Sequence, residues 1–404
     1  MIIPWHTDVI ATLANGSTCK WSATELTGQM DTTSIGPIKL AAMCPHKRSV
    51  LLLTSDHRFL LGSNVRRGPN TYFRKGPEDI TALVCEVLEI EEADVEKLVV
   101  EIKISKDSLA IRTENKVGTI WLTNDGSERD YYLEAYSFTE RIDLFDYDYG
   151  KGYVRTDDNK MHLVGVDMGY EKGIPAEICF SNTASIREIV CGNVYTLLLM
   201  YDGSVYARGF DYSPSEPFTP VMFPSNEFIT RIVTNGTKII YITLEGLCYY
   251  TDVESKPHPG EALNQCTSPV LLQSLEGRFV TNAFIVDWEI VIQDDSNRLC
   301  LLQFDRPKPR WPDKPRYIID LHVINGSIQP VDLPYFDDKD IVSVIQASRS
   351  IYLTSATGRV YQSNRIKDWD TNEVKFFNDN PVAVIADGRA TMIPSALSVL
   401  DRDV

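Results

Sequence analysis

The residue types that most often perform chemistry in proteins are dispersed along this chain of 404 residues. Zinc sites need Cys and His ligands in close pairs, and only Cys44 and His46 form such a pair. The six histidines show neither HxH nor HExxH spacing. The eight cysteines form no CxxC pair, which is typical of reduced, buried thiols in a cytosolic or nuclear protein. We therefore expect no metal and no cofactor.

Catalytic motifs are also missing from the sequence. It contains no GxxxxGK[ST] phosphate loop, no GxGxxG between a strand and a helix, and no GxSxG nucleophile elbow. Adjacent carboxylates occur at Asp157-Asp158, Asp294-Asp295 and Asp337-Asp338, each in a predicted turn. Solvated turn carboxylates are the simpler interpretation. We expect no catalytic residue and no enzymatic activity.

The most distinctive charge cluster is basic and rich in proline. Residues 306–316 read RPKPRWPDKPR, and proline favours an extended, unpaired backbone, so we expect a loop insert over residues 304–316. An aromatic residue among cations suits docking onto an acidic partner. The alternative is a stiff connector whose charge only keeps it soluble. The candidate partner-binding residues, including two from a second basic group, are Arg306, Lys308, Arg310, Trp311, Lys314, Arg316, Arg66 and Arg67.

The overall charge restricts the classes of partner. The formal net charge is −16 and the pI is near 4.9, so the chain repels phosphate backbones and anionic lipid surfaces. Apolar stretches such as 195–201 are strand-sized, far short of the roughly 18 residues that a membrane helix needs. The first residues show no signal peptide. We expect neither nucleic acid nor membrane as a partner, and a cytoplasmic location, with the nucleus as the alternative.

The elements that position these residues are short strands joined by tight turns. Residues 186–209, IREIVCGNVYTLLLMYDGSVYARG, predict strands over 186–191, 195–201 and 204–208. Asp202-Gly203 joins the last two. Asp-Gly between apolar runs is among the strongest short hairpin signals, because glycine accepts a positive φ.

The same pattern occurs eight times, with turns near positions 16, 57, 118, 159, 203, 246, 297 and 358. A period of about 40–60 residues with several strands per unit is typical of β-propeller blades. Helical periodicity is confined to residues 90–99, which also fit a loop that enters a strand. Residues 380–393 contain the first half of the repeat, and residues 10–21 contain the second half. We therefore expect the N- and C-terminal strands to pair in one blade and close the ring.

The repeat at 186–209 resembles that of the regulator of chromosome condensation family. The matching residues are Cys191-Gly192, Tyr195-Thr196, Leu197–Leu199, Asp202-Gly203, Val205-Tyr206 and Gly209, with Arg208 where the family has Trp. Residues 15–30 and Leu61-Gly62-Ser63-Asn64 add further matches. The resemblance implies an all-β fold, with one β-propeller domain of four-stranded antiparallel blades over residues 1–404. The family has seven blades, whereas eight hairpins occur here, so seven blades are expected and eight are the alternative.

The resemblance also implies a function. Members of the family share a rigid platform that presents loops to protein partners, and fold alone does not fix which partners. We expect a non-catalytic protein–protein interaction scaffold that binds several proteins within a cytoskeletal or ciliary assembly. The alternative is a guanine-nucleotide exchange factor whose partner is a small GTPase.

Overall fold

A computed structural model describes most of the chain. The described residues are 2–5, 8–12, 18–22, 31–32, 35, 37–44, 49–63, 78–105, 108–124, 129–165, 173–209, 217–253, 266–286, 289–296, 298–304, 328–332, 341–347, 350–355, 357, 359–365, 375–377, 383–386 and 389–392.

Successive antiparallel sheets make up the described residues, and each begins after the previous one ends. We name them blades 1 to 8. Blade 1 contains β1 (Ile2–Trp5), β2 (Asp8–Thr12), β3 (Thr18–Ser22) and β4 (Asp31–Thr32), and blade 2 contains β5 (Ile38–Cys44), β6 (Ser49–Thr54), β7 (Phe59–Ser63) and β8 (Glu78–Asp79). Blade 3 contains β9 (Glu101–Ile104), β10 (Ser108–Arg112), β11 (Lys116–Asn124) and β12 (Arg129–Ser137), and blade 4 contains β13 (Ile142–Asp148), β14 (Lys151–Thr156), β15 (Met161–Gly165) and β16 (Ala176–Ile178).

The remaining blades follow the same order. Blade 5 contains β17 (Ile186–Cys191), β18 (Tyr195–Met200), β19 (Val205–Gly209) and β20 (Thr219–Pro220), and blade 6 contains β21 (Ile229–Thr234), β22 (Lys238–Thr243), β23 (Cys248–Asp252) and β24 (Val270–Leu271). Blade 7 contains β25 (Val280–Val286), β26 (Glu289–Asp294), β27 (Leu299–Phe304) and β28 (Ile328–Asp332). Blade 8 contains β29 (Ile341–Ala347), β30 (Ser350–Ser355), β31 (Arg359–Arg365), β32 (Lys375–Phe377), β33 (Ala383–Ala386) and β34 (Arg389–Met392).

Seven of these antiparallel sheets have four strands and blade 8 has six, which confirms the expected all-β fold class, since the four-stranded unit is the blade of a β-propeller. Eight sheets occur among the described residues, which is the alternative count from the sequence. The chain divides into two compact units, one with blades 1 to 4 and 8, the other with blades 5 to 7. Division into one domain with an insert at 304–316 stays a prediction, since all of that insert except Phe304 lies outside the described residues.

The chain ends pair differently from the expectation. β1 pairs with β2 and so completes a four-stranded blade from residues 2–32 alone. β33 pairs with β31, and β34 pairs with β33, so the C-terminal hairpin belongs to blade 8. β1 is not predicted from the sequence, because it is four residues long and contains a proline. Within their unit, β1 lies against β29 without pairing with it.

Helices are few among the described residues. α1 (Thr81–Leu88) and α2 (Val95–Leu98) join blades 2 and 3, and single 3-10 turns occur at Glu92–Asp94, Thr183–Ser185 and Gln273–Leu275. Helical structure was expected only within 90–99, where the 3-10 turn and α2 lie. None of the helices described is long and apolar enough to span a bilayer.

Gly118 lies inside β11 and not in the turn predicted near it. The turn is formed by residues 113–115, and α1 packs against β11 beside Gly118. A Cβ on Gly118 would be 2.8 Å from Val87 Cγ1 and 3.0 Å from Leu88 Cδ2. The glycine is therefore required by the close approach of the helix.

A β-bulge marks the start of the first strand in six blades. The register shifts between Ile38 and Leu40, Ile142 and Leu144, Ile186 and Glu188, Ile229 and Arg231, Val280 and Asn282, and Ile341 and Ser343. The extra residue bends each strand where it enters the blade, which re-aims the side chains there. The recurrence shows that these blades are built to one local plan.

The residue that departs from the family repeat is accommodated in blade 5. Arg208 is fully buried on β19, paired across from Thr196 on β18. Its guanidinium carbon lies 5.7 Å from the centre of the Phe218 ring. The guanidinium therefore lies over an aromatic face, where a cation is attracted by the ring quadrupole.

Candidate functional site

The partner-binding residues expected from the sequence lie outside the described residues. They are Arg306, Lys308, Arg310, Trp311, Lys314, Arg316, Arg66 and Arg67. Their role in binding therefore stays a prediction.

A hydrogen bond found in five blades fixes the turn between the second and third strands. The first turn residue donates its backbone N–H to the carbonyl of the residue that precedes the first strand of the same blade. The pairs are Ser55 to Pro37, Asp157 to Arg141, Tyr201 to Ser185, Leu244 to Phe228 and Asp295 to Phe279, at 2.8 to 2.9 Å. These positions are therefore structurally equivalent, and what differs between blades is the side chain.

In the second unit, the same turns also bind the next blade. The backbone N–H of Ile229, the first residue of β21, donates to the carbonyl of Gly203 in blade 5 at 3.0 Å. Val280, the first residue of β25, donates in the same way to Gly246 in blade 6 at 2.9 Å. The turns of blades 5 and 6 and the starts of the next strands thus form one continuous surface.

Two phenylalanines cover the turn glycines on this surface. A Cβ on Gly203 would be 2.5 Å from Phe228 Cγ, and a Cβ on Gly246 would be 2.6 Å from Phe279 Cγ. Both glycines have positive φ, +79° and +75°, as this turn requires. Each ring therefore lies on the turn of the preceding blade.

The side chains on this surface are apolar and exposed. Tyr201 is 62% exposed, Leu244 61%, Phe279 44% and Phe228 38%. We call these four residues the turn surface. Contiguous exposed apolar groups of this kind mark interaction sites, because water is released when a partner covers them. Among the five blades with this hydrogen bond, the first turn residues of blades 2, 4 and 7 are Ser55, Asp157 and Asp295, so only blades 5 and 6 have an apolar residue there.

The segment that leads from blade 5 into blade 6 is held by backbone bonds and ring packing. Val221 donates its N–H to the Val205 carbonyl at 2.8 Å, and Met222 donates to the Thr267 carbonyl at 3.1 Å. The Phe223 ring packs edge-on against Tyr241 and Tyr249, with centroids 5.4 and 5.2 Å apart. The Met222 side chain, in contrast, is 71% exposed.

Acidic side chains border the turn surface. Residues 201–204, 221–231, 244–247 and 276–279 contain four carboxylates (Asp202, Glu227, Glu245 and Glu276) and two guanidinium groups (Arg231 and Arg278). Carboxylates therefore outnumber guanidinium groups in these segments, and the Arg187 guanidinium donates to the Thr230 carbonyl beside them.

Hydrogen bonds hold two of these carboxylates in place. Asp202 accepts from the Ser204 N–H at 3.0 Å and from its hydroxyl at 2.6 Å, and these bonds lower the pKa of Asp202. Glu227 accepts from the Ser225 hydroxyl and, at 3.1 Å, from the Tyr249 hydroxyl. Burial, followed by the bond to Glu227, raises the pKa of Tyr249 to about 12, so Tyr249 remains a donor at neutral pH.

Charged groups inside the blades have structural partners. Lys238 on β22 is 1% exposed, and its Nζ lies 3.0 Å from both Asp252 Oδ2 and the Tyr250 hydroxyl. Removal of only one partner of such a buried ion pair strongly destabilises a protein, because it leaves a buried charge without its counter-charge. The turn before Lys238 is held by Asn235, which is buried and whose Oδ1 accepts from the Lys238 N–H at 2.9 Å.

Most of the described cysteines are buried. These are Cys44, Cys191, Cys248, Cys266 and Cys300; Cys85 is half-buried and Cys179 is exposed, and all are free thiols. Burial raises the pKa of Cys248 and so reduces its thiolate character. No group of three metal-ligating side chains occurs in the part of the chain that is described.

Sequence reasoning did not identify the turn surface. The signal in the sequence is an apolar residue directly before an acidic-Gly turn, as in Tyr201-Asp202-Gly203 and Leu244-Glu245-Gly246. A phenylalanine directly before the next strand completes it.

Comparisons with known proteins show likeness to solved structures only. No protein-family model matches the sequence, and no curated protein matches it. Human WBSCR16 is similar in structure at 12% identity, with 81% of this chain and 89% of that chain covered and a TM-score of 0.49. Prp20p from Saccharomyces cerevisiae, which is yeast RCC1, is similar at 13% identity over 79% of this chain and 82% of that chain, with a TM-score of 0.45. The computationally designed Ika8 protein is similar at 10% identity over 87% and 95%, with a TM-score of 0.46. Function is therefore argued from this chain's own residues.

Proposed function

We propose that this chain is a non-catalytic protein-interaction scaffold and that the turn surface of blades 5 and 6 is a place where it binds a protein partner. The observation that carries the proposal is the exposure of Tyr201, Phe228, Leu244 and Phe279 on turns whose backbone is fixed by hydrogen bonds. A backbone that is already fixed loses little conformational entropy on binding. Tyrosine is also enriched among the residues that dominate interface energies.

The local fold does not require an apolar residue at the positions of Tyr201 and Leu244. The equivalent first turn positions in blades 2 and 4 carry Ser55 and Asp157 and make the same backbone hydrogen bonds. A polar residue is therefore compatible with the local structure. Exposed Tyr201 and Leu244 instead suit a surface that is covered by a partner.

A comparison of capture by three forms of the full chain tests the proposal. The forms are wild type, the double variant Tyr201→Ser with Leu244→Ser, and the matched control Ser55→Ala with Asp157→Ser. Each is immobilised and incubated with native extract, and bound proteins are quantified. We expect at least one protein to bind the wild type and the control and to be reduced about tenfold on the turn-surface variant. Identical capture by all three forms would overturn the proposal.

A cytoskeletal or ciliary assembly is part of the proposal as the cellular setting, and it is supported by the family resemblance of the sequence alone. Imaging of the tagged full chain tests this part, with a location away from both structures as the contrary result. Nucleotide exchange on a small GTPase stays the alternative prediction, and release of a fluorescent guanine nucleotide tests it.

A further inference from the structure

We infer that the partner segment bound at the turn surface carries apolar side chains flanked by Lys or Arg. This inference rests on the proposed function and adds the chemistry of the partner to it.

The apolar part of the inference follows from the geometry of the two turns. Tyr201 and Leu244 occupy the same position in blades 5 and 6, and each is about 60% exposed. Phe228 lies between the turns, since its ring covers Gly203 while its carbonyl accepts from the Leu244 N–H. A partner with an apolar side chain can therefore contact all three residues at once and release water from each.

The Lys or Arg residues of the partner segment are inferred from the carboxylates near the apolar residues. Asp202 and Glu245 directly follow Tyr201 and Leu244 in the two turns, so a carboxylate neighbours each of these two residues in sequence. Glu276 lies near Phe279 in sequence and is exposed, as Glu245 is. A cationic side chain next to a bound apolar group would meet these carboxylates. An acidic segment or a phosphate backbone would be repelled.

Pre-oriented carboxylates strengthen this selectivity. The Asp202 carboxylate is fixed by the Ser204 amide and hydroxyl, and the Glu227 carboxylate is fixed by the Ser225 and Tyr249 hydroxyls. Fixed acceptors form charge-assisted hydrogen bonds without losing side-chain freedom at the moment of binding. The same charges disfavour a second copy of this chain as occupant, because two such surfaces would place like charges together.

Binding of two short synthetic peptides tests the inference. Both contain the same Leu and Phe residues, flanked by Lys and Arg in one peptide and by Glu in the other. Each labelled peptide is titrated with the full chain, and fluorescence anisotropy gives the Kd at low and high salt. We expect the basic peptide to bind about tenfold more tightly than the acidic one, with the difference reduced by salt.

Three variants separate the inference from the proposed function. Glu245→Gln with Glu276→Gln should weaken the basic peptide about threefold to tenfold, whereas Asp157→Asn in the blade 4 turn should leave its Kd unchanged. Tyr201→Ser with Leu244→Ser should abolish binding of the basic peptide. Sedimentation of the free chain at the same concentrations should show no salt-resistant self-association through this surface.

The possible results distinguish failure of the inference from failure of the proposed function. Equal binding of the acidic and basic peptides, no effect of the glutamine substitutions, or failure of both peptides to bind would overturn the inference. The capture experiment with extract then decides the proposed function separately. Basic-peptide binding that is unchanged in Tyr201→Ser with Leu244→Ser would also overturn the inference, because the peptide would then bind elsewhere on the chain. Dimerisation through the turn surface would replace the peptide partner with a second copy.

Discussion

The Phe279 ring lies on Gly246 so closely that a Cβ on the glycine would be 2.6 Å from Phe279 Cγ. Gly246 belongs to a turn of blade 6, and Phe279 precedes the first strand of blade 7. The backbone bond from Val280 to the Gly246 carbonyl fixes the same contact. Consecutive blades in the second unit are therefore joined at the turn surface, where the exposed apolar residues also lie.

Substitution of Gly246 tests this joint. Gly246→Ala introduces both a strained positive φ and a clash with Phe279, so we expect it to lower the free energy of unfolding by about 2–4 kcal/mol. Gly277 also has a positive φ, +83°, but has nothing within 4 Å of its Cβ position. Gly277→Ala should therefore lower the free energy of unfolding by only about 1 kcal/mol. Urea unfolding of both variants measures the difference, and equal losses would show that Phe279 does not lie on the turn.

The buried ion pair of blade 6 gives a second prediction. Lys238 is 1% exposed and binds Asp252 at 3.0 Å, so Asp252→Asn leaves a buried ammonium without its carboxylate. We expect a loss of about 3 kcal/mol in the free energy of unfolding. Asp158→Asn removes the partner of exposed Lys160 and serves as the matched control, because exposed pairs contribute little. Similar thermal midpoints for the two variants would contradict the burial of Lys238.

Asp148 gives a prediction about pH. Burial, opposed in part by the Tyr149 N–H that it accepts at 2.8 Å, raises the pKa of Asp148 to about 7; Asp146 nearby raises it further and Lys151 lowers it. The unfolded chain, with an Asp pKa of 3.8, binds fewer protons than the folded chain between these values. Stability should therefore fall as the pH rises from about 4 to about 7.

Asp148→Asn isolates this effect, because the amide stays neutral. The variant should match the wild type near pH 4 and become more stable than the wild type by pH 8, as thermal unfolding across the range would show. Asp158→Asn is the control, since hydrogen bonding, first to the Thr156 hydroxyl, lowers the pKa of Asp158. The difference in stability between Asp158→Asn and the wild type should change only at acidic pH. A pH-independent difference for Asp148→Asn would contradict the raised pKa.

Much of the blade pattern could be predicted from the sequence, because tight turns require particular residues. Asp202-Gly203 and Glu245-Gly246 lie between apolar runs, and both adopt the expected hairpin. The predicted hairpin at 380–393 forms as β33 and β34. Outer strands such as β20 and β24 are two residues long and exist only through pairing with β19 and β23, so no local pattern marks them.

The helix α1 and the turn surface could not be predicted for a related reason. Residues 81–88 contain valine and threonine, which favour strands, yet Val84, Val87 and Leu88 are buried on one helical face against blades 2 and 3. The turn surface depends on where the next blade begins, since Phe228 becomes part of it only by lying on Gly203. Composition instead favoured the basic segment around Trp311, which lies outside the described residues.

Site-specific photo-crosslinking can show whether a partner protein contacts the turn surface. A photoreactive amino acid replaces Leu244 in one form of the full chain and Asp157, the equivalent turn position of blade 4, in another. After irradiation in native extract, we expect a discrete crosslinked protein from position 244 that is lost when Phe228→Ser is added, and none from position 157. The same product from both positions, or a product at 244 that persists with Phe228→Ser, would contradict the turn surface as a partner-binding site.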